Sequence, residues 1–136
     1  MTSTVRVTQN YSASADQLWT AIGNPTAISE WHPAISKSLG AGDGRTCTLA
    51  DGGEVVEKIL NHDDAGRQYK YSIVTSPLPI ENYVSTIRVE ATDKGCQVVW
   101  DSNFDVVGAP PADIEAAIRG LYEAGLTALT KKFGAA

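Results

Sequence analysis

The chain has 136 residues, of which 43% are hydrophobic and 20% charged, with a formal net charge of −5. That length and balance predict one folded domain with a core of its own, and they exclude a disordered chain. The acidic charge and the scatter of the 11 Lys and Arg argue against nucleic acid and against a basic membrane-binding face. The opening residues lack the basic start and apolar run of a secretory signal, and no stretch approaches membrane-spanning length, so a cytoplasmic location without membrane insertion is expected. Cys47 and Cys96 lie in separate strand-like runs and read as free, buried thiols. With two histidines and no CxxC or HExxH spacing, neither a metal site nor a cofactor is expected.

In residues 4–11, Val5, Val7 and Tyr11 alternate with Arg6, Thr8 and Asn10, the pattern of a half-buried strand. Ser14 and Gln17 have the spacing of a capping box, and Asp16 suits the positive end of a helix dipole. Leu18, Ala21 and Ile22 supply the apolar stripe, and Gly23 is a stop signal. Asn24 and Pro25 then start a second short helix, which runs to about Trp31 because Pro33 disfavours helix at His32.

From Ile35 to Asp105 the pattern is strands and turns. Residues 40–44, 51–53, 63–66 and 93–95 carry turn chemistry, and the runs 45–50, 54–61, 67–75, 82–92 and 96–106 lie between them. Short connections imply an antiparallel meander, interrupted by a longer loop at Ser76–Pro79. Residues 110–133 predict the longest helix. Its broad apolar face holds Ile114, Ala117, Ile118, Leu121, Tyr122, Gly125, Leu126, Leu129 and Phe133, wide enough for a helix gripped by a curved sheet. Gly125, within that face, leaves room for a neighbour or a ligand.

Strand alternation places Tyr69 and Tyr71 on one face with Ile73. Tyr83 and Ser85 share a face with Ile87, and Trp100, Ser102 and Phe104 share another. Together they are expected to line the concave surface under the last helix, with Leu121 and Gly125 above. Lys70, Ser72, Arg88, Asp101, Asn103 and Asp105 are assigned to the outer face. Several polar tips on one inner face favour a cavity over a dry core, because each buried hydroxyl needs a partner. Glu57 shares a face with Val55 and Ile59, and the alternation leaves open whether that face points inward. If it does, a carboxylate stands beside the tyrosines, where a general acid or base would be. If it does not, Glu57 is a solvated residue or pairs with Lys58 or Arg88. Trp31 and His32 could cover the cavity mouth, with His32 either shuttling a proton or simply packing on Trp31. His62 reads as surface.

This order of elements resembles the polyketide cyclase/dehydrase and lipid-transport family of the START and pollen-allergen-like superfamily. The segments that carry the resemblance are Val5 to Trp19, Trp31-His32-Pro33, Glu57 to Asp63, Tyr69 to Ile73, Ser76 to Tyr83 and Gly95 to Trp100. The resemblance spans the whole chain and implies an α+β helix-grip fold: about seven antiparallel strands in the order β-α-α-β6-α, curved around a long C-terminal helix. It implies a small hydrophobic or aromatic ligand, polyketide-, lipid- or steroid-like, and a monomer or homodimer. Three readings follow: a carrier or binder of such a molecule; a cofactor-independent cyclase or dehydratase using Glu57 or His32; and an interaction domain with a filled interior.

Overall fold

The structure is a computed structural model that describes residues 2–136. Its first strand, β1 (Thr2–Tyr11), has the expected alternation, with Val5 and Tyr11 fully buried. Helix α1 (Ala15–Ile22) starts at a complete capping box. The Gln17 N–H donates to Ser14 Oγ at 3.2 Å, and the Ser14 N–H donates to Gln17 Oε1 at 2.9 Å. The second short helix, Pro25–Glu30, is 3₁₀ and is kinked at Ala27. Asn24 caps it and Pro25 sets its first φ, but six residues ahead of a proline are too few to settle into α geometry.

Six strands follow: β2 (Ile35–Ala41), β3 (Gly44–Leu49), β4 (Glu54–Asp63), β5 (Gln68–Thr75), β6 (Ile80–Thr92) and β7 (Gly95–Val106). Their edges fall close to the expected runs. The first turn is tighter than the glycine pattern predicts. Gly40 and Ala41 belong to β2, and the reversal is left to Gly42, at φ 59°, and Asp43. Strand β6 also begins earlier than expected, at Ile80. A register shift between Glu81 and Val84 absorbs Asn82, which has φ 55°.

The seven strands form one antiparallel sheet in the order β1-β7-β6-β5-β4-β3-β2. The first strand pairs with the last, and β2 forms the far edge. Helix α2 (Pro111–Phe133) crosses the inner face, packing mainly against β1 and also against β7. Tyr11 Oη, from β1, donates to the Leu126 carbonyl at 2.5 Å and fixes the two elements together. Ile114, Ile118, Tyr122, Gly125, Leu126 and Leu129 are buried as the helical period requires. Ala117, expected on that face, is exposed. It lies at the rim of the arc, and its methyl group is too short to reach the sheet. No helix among the described residues is long and apolar enough to cross a membrane.

Candidate functional site

Between the sheet and α2 lies a hollow of about 70 Å³. Its wall contains Tyr71, Tyr83, Trp100, Tyr122, Glu57, Arg45, His32 and Cys47, among aliphatic side chains that include Ile28, Ile73, Leu78, Ile118 and Leu121. Sites for drug-sized ligands occupy roughly 300–1,000 Å³. The interior is therefore largely filled, and the cavity expected from the sequence is present but small. Much of the filling comes from Tyr122, which reaches down from α2 and stacks on Trp100, with ring centroids 4.3 Å apart and planes within 13°.

The polar end of the hollow is built on a cross-strand pair. Arg45 of β3 stands directly opposite Glu57 of β4, and Arg45 Nε donates to Glu57 Oε1 at 2.7 Å. Arg45 is only 2% exposed and Glu57 only 7%. Arg45 Nη1 also donates to the Pro25 carbonyl at 2.6 Å and to Tyr69 Oη at 3.1 Å, and the guanidinium lies 4.5 Å from the centroid of the Tyr71 ring. Burial opposes the guanidinium charge, but Tyr69, Glu57 and Tyr71 around it outweigh that, and its pKa stands well above the usual arginine value. Cys47 Sγ donates to Glu57 Oε1 at 3.6 Å. Burial, with the Glu57 charge beside it, pushes the Cys47 thiol up to about 12, so it stays protonated.

A second polar group lies under α2. Ser85 Oγ donates to the Asp101 carbonyl at 2.9 Å and bonds Tyr122 Oη at 3.0 Å, while Tyr122 Oη in turn bonds Tyr83 Oη. Trp100 Nε1 donates to Tyr71 Oη at 3.0 Å and to Ser85 Oγ at 3.2 Å. Burial raises the pKa of Tyr71, Tyr83 and Tyr122, so all three present neutral hydroxyls. Ser102 Oγ and Trp31 Nε1 are buried and have no hydrogen-bond partner among the described residues.

The residues singled out in the sequence separate into wall and support. Glu57 faces inward with Val55 and Ile59, settling the question that alternation left open, and its partner is Arg45 rather than Lys58 or Arg88. Tyr71, Tyr83, Trp100 and Leu121 lie on the wall, whereas Tyr69, Ser85, Ser102 and Phe104 are buried behind it. His32 is on the wall with both ring nitrogens engaged: Nδ1 accepts from the Ala34 N–H at 3.1 Å, and Nε2 donates to the Leu121 carbonyl at 2.8 Å. Burial lowers its pKa, with Arg45 adding to the effect against the Leu121 bond. The room at Gly125 is taken by this neighbour, since a Cβ there would stand 2.6 Å from His32 Cδ2 and 3.0 Å from Trp31 Cζ3. His62 is at the surface as expected, stacked on Trp19 and bonded through Nε2 to the Gly23 carbonyl at 2.7 Å.

Arg45 and Tyr122 were not singled out as site residues by sequence reasoning. A signal for Arg45 was present: it alternates with Cys47 and Leu49, and a thiol expected to be buried implies that its strand neighbour two positions away shares the inward face. Tyr122 was on the predicted apolar face, but its hydroxyl's partners lie on strands distant in sequence.

Comparison with known proteins agrees with this geometry. An uncharacterised protein from Bacillus thuringiensis superimposes with a TM-score of 0.89 at 29% identity, covering 98% of each chain. The Zhui aromatase/cyclase of a Streptomyces species has a TM-score of 0.78 at 17% identity, over 97% of this chain and 93% of its own. Norcoclaurine synthase from Thalictrum flavum, solved with dopamine and hydroxybenzaldehyde, has a TM-score of 0.74 at 23% identity, over 97% of this chain and 86% of its own. At those two identities the likeness is one of fold, the helix grip. No curated protein matches the sequence. The family model for polyketide cyclase/dehydrase and lipid transport matches residues 2–134, and the chain belongs to that family.

Proposed function

We propose that the chain binds a small, largely apolar aromatic molecule in the hollow between the sheet and α2. The observation that carries this reading is the placement of a buried Arg45–Glu57 pair on the wall of a space otherwise lined by aromatic and aliphatic side chains. Burying such a pair is costly against well-packed hydrophobic residues of the same volume, and a polar handle for a ligand gives a reason to keep it. At about 70 Å³ the space is too small for a sterol or a long lipid chain as it stands. This favours the aromatic end of the ligand range expected from the sequence. The Ser76–Pro79 loop closes part of the wall, with Leu78 lining the hollow and its N–H held by the Ser76 hydroxyl at 3.1 Å.

The test is native mass spectrometry of the protein purified from its own host. The expected result is one specific aromatic molecule retained at stoichiometric level. A clean apo mass, together with no effect of Tyr71→Ala or Trp100→Ala on the binding of any aromatic fragment, would overturn the reading.

A second reading, acid–base catalysis of the cyclase or dehydratase type, is favoured by one feature: Glu57 lies on the wall, and its Oε2 makes no hydrogen bond to the described residues. With the retained molecule as substrate, Glu57→Gln would lower turnover at least a hundredfold. Full activity in that variant would remove Glu57 from the chemistry.

A further inference from the structure

The Arg45–Glu57 pair is joined by a single contact edge. Arg45 Nε donates to Glu57 Oε1, and Arg45 Nη1 is used by Pro25 and Tyr69. Arg45 Nη2 and Glu57 Oε2 make no hydrogen bond to the described residues, although both side chains line the hollow. Nη2 shares the edge of the planar guanidinium that carries the Nε–H, so it lies on the side facing the carboxylate. The free donor Nη2 and the free acceptor Oε2 are thus neighbours across one bond. The pair's charges cancel, and a third charge in this largely apolar hollow would be left without a partner.

We propose that this edge selects a neutral ligand group carrying an acceptor and a donor side by side, such as a primary amide, attached to a flat ring. The ligand's carbonyl oxygen accepts from Arg45 Nη2 while its N–H donates to Glu57 Oε2. The ring then lies against Tyr71 and the edge of the Trp100–Tyr122 stack. An ester offers two acceptors and leaves the carboxylate oxygen unpaired. An ionised carboxylate faces Glu57 with like charge. A plain hydrocarbon ring leaves both protein atoms bare. A buried group left unmatched costs more than the matched bond contributes, so discrimination among these four is large. The inference rests on the binding reading above and specifies the ligand chemistry for the same space.

The experiment titrates the intact protein with benzamide, methyl benzoate, benzoate and toluene. Binding is followed by intrinsic tryptophan fluorescence and by amide chemical shifts in β3 and β4. Wild type is expected to bind benzamide at least tenfold more tightly than methyl benzoate or toluene, with benzoate weakest. Glu57→Gln keeps an oxygen for Arg45 Nε, turns the free acceptor into a donor and leaves the guanidinium charge uncompensated. The benzoate-to-benzamide affinity ratio is therefore expected to rise at least tenfold in that variant. Toluene or methyl benzoate binding wild type as tightly as benzamide would overturn the inference and leave the cavity reading standing. Failure of all four probes to bind would remove both. An unchanged ranking in Glu57→Gln would also overturn it, and should that variant not fold, the wild-type ranking decides alone.

Discussion

At the scale of single residues, the buried ion pair makes the sharpest demand. Truncating Arg45 alone strands the Glu57 carboxylate in a nearly dry wall. Arg45→Met is expected to cost about 3–5 kcal/mol in urea denaturation. The double change Arg45→Met with Glu57→Leu removes both charges at once, and it should return stability to within about 1 kcal/mol of wild type or above it. That non-additivity is the signature of a pair kept for something other than stability. Gly125→Ala drives a methyl group into the His32 ring and should cost about 1–3 kcal/mol, readable in the same denaturation experiment.

His32 adds a pH dependence with a definite sign. Its usual pKa is 6.5 and burial lowers it, so the folded protein keeps the ring neutral where the unfolded chain takes up a proton. Stability is complete above about pH 6.5 and declines as the pH falls from there toward the lowered folded-state value. Thermal melts of wild type should show that decline, and His32→Gln should flatten it. Alternation alone brought Glu57 to notice without orienting it. Its orientation comes from the β3–β4 register, which sets Arg45 opposite it, and register is a property of two strands that neither shows alone.

At the scale of elements, local chemistry was the most readable. Ser14 and Gln17 announce the start of α1 three residues apart, and the reciprocal bonds are both present. Ser14→Ala should cost about 1 kcal/mol and raise hydrogen exchange in the first turn of α1. The Asp51–Gly53 and Asp93–Gly95 turns were equally plain, because only a few residue types reverse a chain cheaply. Less readable were features that neither alternation nor helical period encodes. The Pro25–Glu30 segment is 3₁₀, and Ala117 falls outside the buried arc of α2. The β6–β7 register shift at Asn82 leaves no mark that alternation could catch.

At the scale of the whole molecule, the curved sheet and the long closing helix were legible because their periods, two and 3.6, hold over long runs. The size of the space between them was not. Its volume is set by Tyr122 lying across Trp100, and no periodicity encodes a rotamer. Local openness should follow the sheet order. The β2 amides, on an edge strand with mostly exposed side chains, are expected to exchange with deuterium well before those in the middle of β7, which has partners on both sides. Equal rates in β2 and β7 would contradict that gradient.

The pairing of β1 with β7 also bears on how the protein is made. Thr2 meets Asp105, and Tyr11 meets Cys96, so the first strand has no proper partner until β7 has left the ribosome. During synthesis β1 waits with its hydrogen-bonding edge bare and Val5 and Tyr11 wet, exposed to the wrong strand of its own chain or of a neighbour. Formation of the complete sheet is thus deferred until β7 emerges, and a product truncated before β7 is expected to clump rather than form a smaller working domain.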